Sequence, residues 1–553
     1  MPDHSTDATA DGESGASLWV WSLLGVFAAC VPCALLVVEK FGSALSPVPL
    51  TLTILAALAG YVLAVRAVVK EKFTQPSTLT RILVWIAAAG LFLGSVATLF
   101  AFRPPPPPLP RISGVRDVAV VGFAGYNGHQ DKRVLDDVAA DFAHAMAGRI
   151  PAATAVRNYA SEVSLPLADL KGPHRNRLER ETAKFADETN AEFAVGGLVS
   201  TDPAGQSNLL PAIFVRADQV PDAPELAGWF LGAPLLITSG WESAQSRAQL
   251  NDNLTRLINP LAKFVDALDT WRTGSPAKAG EVFKGLLDTK QQDDTGGFVP
   301  PDLVRLFHGH AAEAEASGET GTKRQKLLEV ARADYRAINK TSPTGRRAAL
   351  SLQLNTYLLA LGPKHDCMPG TVRPGDLAQV AQNLRALSGD PRFTELGRLK
   401  ATVNLAQVES CRISAHLVRD DGRVERAVAA VTEASNITGS AELRAIAESI
   451  AAVRAAEKGD LVAATRHIQA AIEHGRDPFQ RALWQGLRAG WSLRRCELRT
   501  GRTAQQDALT QLRAAQQAGR VSTQFLDEYK QVFKEERRQA EKHCGTAAKE
   551  TAR

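Results

Sequence analysis

Apolar and polar positions along the chain change their rhythm twice. Residues 17–38, 48–69 and 82–102 are nearly unbroken apolar runs. Each is long enough, at ~1.5 Å rise per residue, to cross the ~30 Å of hydrocarbon in a bilayer. Arg66, their only charged residue, sits where a guanidinium reaches the headgroups. From Asp117 short apolar runs alternate with helical ones. They predict strands at Asp117–Phe123, Ala153–Tyr159, Phe193–Ser200, Leu209–Val215 and Leu235–Thr238, and helices at Lys132–Met146 and Arg177–Thr189. Such alternation implies an α/β class with parallel pairings across the helical crossovers. Beyond Asn251 the period is helical, with hairpins expected at Leu303–Ala316 with Leu327–Asn339 and at Arg346–Leu361 with Asp376–Leu387.

The expected fold class is therefore multi-domain: three transmembrane helices, an α/β domain, then an all-α helical-hairpin array. Its parts are an acidic tail at 1–16, the transmembrane region at 17–103, a proline-rich linker at 104–112, the α/β domain at 113–250, the array at 251–545 and a tail at 546–553. Pro104–Pro108, a polyproline II run, predicts a stiff spacer. Asp3, Asp7, Asp11 and Glu13, with no Lys or Arg before residue 17, leave no basic region for a cleaved signal, so the first apolar stretch is expected to stay as an anchor. Lys70, Lys72 and Arg81 outweigh Lys40, which places the second loop in the cytoplasm and the soluble region outside a multi-pass cell membrane, against the pull of Arg103, Arg111 and Arg116.

Charge adds little. A net +5 over 553 residues points to no polyanion, so no nucleic-acid partner is expected; membrane lipid and an unidentified protein or peptide are. Arg476, Arg481, Arg488, Arg494, Arg495, Arg499 and Arg502 crowd one segment, read as a solvated helical face. His308-Gly309-His310 and His365-Asp366-Cys367 hold too few ligands for a metal site and read as surface polar clusters. Gly122, Gly125 and Gly128 lie between a strand and a helix, where a phosphate-cradling loop belongs, and are the candidate cofactor-binding residues. Their spacing fits neither a dinucleotide fingerprint nor a P-loop, so a flexible loop is expected and no cofactor. No catalytic residue is identified, because no nucleophile, base and orienting group can be matched.

One spacing recurs in the helical part. Ala415, Gly422, Ala427, Val431 and Ala434 are repeated in register by Ala452, Gly459, Ala464, Ile468 and Ala471. Ala267, Gly274, Ala279, Phe283 and Leu286 fit with a larger last residue, and Cys496, Ala508, Leu512 and Ala515 fit with the glycine displaced to Gly501. Small residues let paired helices approach, and the glycine supplies a left-handed turn between them. Cys496 then takes a small buried position, which weakens a bridge to Cys544 and leaves Cys367 and Cys411 as the candidate disulfide.

These windows resemble the tetratricopeptide repeat, whose 34-residue unit has small residues at the same offsets. The strand Ala119-Val120-Val121-Gly122-Phe123, the helix through Leu135–Met146 and the run Asn190–Gly197 resemble the TolB amino-terminal type of domain, over Ser113–Val199. Gly122 stands where that family commonly has proline. The resemblance implies a binding or assembly domain and carries no catalytic residues over. The function expected is a membrane-anchored, non-enzymatic scaffold or adaptor that binds protein or peptide through the array. The alternatives are a membrane-tethered small-molecule or nucleotide sensor using the α/β domain, and a transporter accessory component.

Overall fold

A computed structural model describes residues 108–551 apart from 114–115, 126–131, 149–153, 173, 202–206, 217–219, 221–222, 224–225, 233, 238–258, 289–298, 343, 363–365 and 439. Strands β1 (Arg116–Gly125), β2 (Thr154–Asn158), β3 (Phe193–Thr201), β4 (Ser207–Val215), β5 (Gly228–Leu231) and β6 (Leu235–Ile237) form one sheet in the order β2-β1-β3-β4-β5, with β6 also on β4. Helix α1 (Lys132–Ala147) joins β1 to β2, and a 3-10 turn (Leu167–Lys171) and α2 (Arg175–Thr189) join β2 to β3. Both of these crossovers give parallel pairs.

The remaining pairings differ from the parallel expectation. Strand β3 meets β4 antiparallel, as do β4 with β5 and β4 with β6. Only residues 202–206 separate β3 from β4, too few for a crossover, which needs a dozen or more.

Alternation along β1 and β3 sends side chains to opposite faces, and both faces are covered. Val118, Val120, Phe193 and Val195 share one core with Phe142 and Met146 of α1. Ala119, Val121, Ala194 and Leu198 share the other with Leu178 and Phe185 of α2 and with Leu167 and Leu170. The end of the expected spacer belongs to this second layer. Ile112 is buried, its N–H donates to the Thr189 carbonyl at 2.9 Å, and the Tyr159 hydroxyl bonds the Pro110 carbonyl.

Helical residues 259–272 (α3) open the array. They are followed by α4 (Pro276–Asp288), α5 (Pro301–Ser317), α6 (Gly321–Ala337), α7 (Gly345–Ala360), α8 (Pro374–Ser388), α9 (Glu395–Ser414) and α10 (Arg423–Thr438). Then come α11 (Ala441–Glu457), α12 (Leu461–His474), α13 (Pro478–Arg494), α14 (Leu498–Gln517) and α15 (Thr523–Thr551). Neighbours in sequence pack against each other, and alternate helices also touch: α5 on α7, α7 on α9, α9 on α11, α13 on α15. This is a solenoid-like array in which each hairpin buries its apolar face on the next.

The first core runs without a break from the sheet into the array, since Leu261, Phe264, Phe283 and Phe307 pack in it with Phe230 of β5. Arg347 of α7 fastens the joint. Buried beneath β5, its Nη2 donates to the Ala227 carbonyl at 2.8 Å while its guanidinium lies 4.1 Å from the Phe230 ring centroid.

The array also curls back on itself. In the turn after α14, the Ala518 carbonyl accepts from Ser275 Oγ at 2.9 Å and the Ser522 N–H donates to the Gly318 carbonyl at 3.0 Å. Thr320 Oγ1 donates to Glu528 at 3.1 Å. The last hairpin thus touches the turns of the first two.

The transmembrane part of the expected fold class is corrected. Among the described residues no helix is long and apolar enough to cross a membrane. Even α15, 29 residues long, carries Asp527, Lys530, Lys534, Glu535 and Arg537. The stretches 17–38, 48–69 and 82–102 lie outside the described residues. The architecture is an α/β region followed by a helical array, and the multi-pass membrane localisation with an outward soluble region is withdrawn with the spans it rested on.

Candidate functional site

The turn positions of the recurrent windows set the spacing of the array. Gly274, Gly422 and Gly459 all have left-handed backbone, φ +92°, +76° and +83°, and stand one or two residues before α4, α10 and α12. On the following helices Ala279, Phe283 and Leu286, and Ala464, Ile468 and Ala471, are buried. Ala267 and Ala452 are buried on the preceding helices. The window at Ala415 differs: α9 stops at Ser414, Ala415 lies past its end, and Ala427 and Ala434 are only half-buried, although Val431 is fully buried. A longer turn, tied at Asp420 by Arg454 Nη2 at 2.7 Å and Lys458 Nζ at 3.3 Å, occupies that hairpin.

The fourth window is shifted by one heptad. Cys496 is exposed, has φ +61°, and occupies the turn place that Gly459 has in the preceding hairpin. Ala489, Gly501, Gln505 and Ala508, all buried, then stand in register with Ala452, Ala464, Ile468 and Ala471; Leu512 and half-buried Ala515 lie one turn further along α14. This placement frees Cys496 to reach Cys544, and the two form a disulfide, as do Cys367 and Cys411. The expectation that Cys496 is buried and unbridged is thereby corrected.

The glycine-rich segment is not a loop along its whole length. Gly122 and Gly125 belong to β1, and Gly128 lies outside the described residues. Gly122, φ +95°, sits at the register shift between β1 and β3, where its carbonyl would meet a Cβ on Gly196 at 2.6 Å. Gly122 and Gly196 together let the bulged strand approach its neighbour.

His308 and His310 are not surface residues. His308 Nδ1 lies 2.7 Å from Asp334, and His310 is buried between the Trp271 and Tyr335 rings. His310 Nε2 stands 2.7 Å from Ser351 Oγ, with its Nδ1 3.9 Å from Glu313. This grouping has the order of a nucleophile, base and carboxylate but not their working geometry. Ser351 is wholly buried, its Oγ also lies 3.0 Å from the Arg347 carbonyl, and at 3.9 Å the Glu313 carboxylate is beyond hydrogen-bond reach of the imidazole. Burial, with Lys400 nearby, pulls the His310 pKa down to about 3 and keeps the ring neutral. The cluster is a buried polar joint between α5, α6 and α7. His365 lies outside the described residues, and Cys367 is held in its disulfide. Among the described residues no group of three or more His, Cys, Asp or Glu could hold a metal ion.

A second polar cluster is open to solvent. Between α8, α9 and α10 lies a cleft of about 490 Å³ floored by Leu405, Ala406, Val424 and Ala427. The Glu409 carboxylate is buried at its side and meets Arg385 Nη2 at 3.0 Å, Arg412 Nη1 at 3.1 Å and Arg423 Nη1 at 3.6 Å. Arg423 also grips Asp421, Nε to Oδ1 at 2.8 Å and Nη2 to Oδ2 at 2.6 Å, and Arg426 Nη1 donates to the Asp421 carbonyl at 3.1 Å. The Arg423 guanidinium holds the Asp421 carboxyl well below the usual carboxylate range. Three guanidiniums, of Arg385, Arg423 and Arg426, line the cleft against two carboxylates and leave it net positive. It offers charged donors over an apolar floor, and both of its carboxylates are tied to arginine, which suits binding.

No protein-family model, curated protein or solved structure matches this chain.

Proposed function

We propose that this chain is a non-enzymatic scaffold or adaptor that binds a protein or peptide partner through its helical array, with the α/β region fixing the array's first helices. We read the array as a divergent tetratricopeptide-type solenoid and the α/β region as a relative of the TolB amino-terminal type. The observation that carries the reading is the stacking of alternate helices from successive hairpins, which multiplies exposed helix surface without building an enclosed reaction site. The polar clusters agree with it: the buried one joins helices, and the open one has binding chemistry alone.

The test is photo-cross-linking in the native host. A photoreactive phenylalanine analogue is placed singly at Met368, Leu417, Val462 and Leu487, exposed apolar positions on the array. Discrete protein adducts from at least one position are expected. Adducts from none of the four would overturn the scaffold reading.

A further inference from the structure

We propose that the cleft between α8, α9 and α10 docks an acidic segment of a protein partner, with a carboxylate held by Arg385 and Arg426 and an adjoining apolar side chain on half-buried Leu405 and Ala427. The inference rests on the scaffold reading and names the chemistry of one of its surfaces. Glu409 and Asp421 use only part of the available charge, because a guanidinium has five N–H donors, Arg385, Arg412 and Arg423 share the Glu409 carboxylate, and the Asp421 carboxylate is gripped by that same Arg423. Arg385, its side chain 57% exposed, spends one nitrogen on Glu409, and exposed Arg426 spends one on a backbone carbonyl. The excess positive charge faces solvent at the mouth of an apolar depression.

That combination selects the ligand. A bare inorganic anion would satisfy the arginines and leave the floor wet. A nucleic-acid backbone would bring successive phosphates against Glu409 and Asp421. A peptide carrying Asp or Glu beside an apolar residue fills both halves at once.

The experiment is fluorescence anisotropy with the full chain and a labelled, end-capped octapeptide of alternating Asp and Leu, beside the same peptide with Asn for Asp. Saturable binding of the Asp peptide is expected, weakened by salt, with the Asn peptide at least about tenfold weaker. R385Q/R426Q should weaken the Asp peptide about tenfold, each exposed arginine contact contributing up to about fivefold. R499Q/R513Q, which removes two exposed arginines of α14, should leave it unchanged. Circular dichroism checks that each variant is folded, and R426Q alone, expected to cost about threefold to fivefold, serves if the double variant is not. No binding at millimolar chain, equal binding of the Asn peptide, equal loss in R499Q/R513Q, or displacement by equimolar phosphate would each overturn the proposal. Failure here beside positive cross-links elsewhere on the array would leave the scaffold reading standing, so the two are told apart.

Discussion

Gly318→Ala tests whether the last hairpin is seated on the first ones. Gly318 has φ −95°, a conformation open to alanine, so the substitution brings no backbone strain of its own. The added Cβ would stand 1.9 Å from the Arg520 carbonyl oxygen and 2.9 Å from its carbon. These are main-chain atoms in a turn that also supplies the Ser522 N–H bond to Gly318, so no side chain can swing aside. The turn must move by about an ångström and weaken that bond. Overpacking costs about 1–3 kcal/mol and the hydrogen bond about 1 kcal/mol, giving an expected loss of about 2–4 kcal/mol. Gly285→Ala is the matched control: Gly285 is exposed in α4 with nothing within 4 Å of the place a new methyl would take, so alanine should stabilise by about 0.5–1 kcal/mol. Equilibrium urea unfolding followed by helical circular dichroism measures both. Opposite signs are expected. A Gly318→Ala loss below about 0.5 kcal/mol would refute the seating of the last hairpin on the first two.

Other outcomes follow from the same packing. Thiol titration in denaturant should find the four cysteines of the described bridges reactive only after reduction, and reduction should destabilise the native chain by about 4 kcal/mol per bridge on the loop-closure argument for separations of 44 and 48 residues. Asp477→Ala removes the cap bonds to Phe479 and Gln480 and the partner of buried Arg520 at 2.9 Å, and should cost about 3–5 kcal/mol in the same unfolding assay. His310 is held neutral in the folded chain, with its pKa lowered from 6.5 to about 3, so the unfolded state takes up the proton first as pH falls. Its contribution is whole above pH 6.5 and is lost toward pH 3, at up to about 1.4 kcal/mol per pH unit. The stability gap between the native chain and His310→Gln should accordingly narrow across that window and stay constant above about pH 7.

Most elements are legible in the sequence because their periodicity is strong. The expected helix at Lys132–Met146 is α1, at Lys132–Ala147, and the expected strand at Phe193–Ser200 is β3, at Phe193–Thr201. Strand β5 is not legible, because Gly228–Leu231 shows no polar alternation: Trp229 enters one core and Phe230 the other. The heptad slip at Cys496 arises from ranking cysteine as a small buried residue. The spacing from Ala489 through Gly501 to Ala508 is present in the sequence, but Gln505 breaks its apolar position, and a cysteine at positive φ is uncommon. His308 and His310 mislead because a three-residue motif does not reveal that α5 is covered by α6 and α7. The cleft cannot be read from the sequence at all, since Arg385, Glu409 and Arg423 come from three helices and meet only through packing.

The array curls so that its end meets its beginning, and that contact fixes which surfaces remain for a partner. A photoreactive residue at Ser275, followed by digestion and mass spectrometry of the cross-linked peptides, measures it directly. Cross-links to the segment around Ala518, 243 residues along the chain, are the expected result. Cross-links confined to neighbouring segments of α3 and α4 would contradict it.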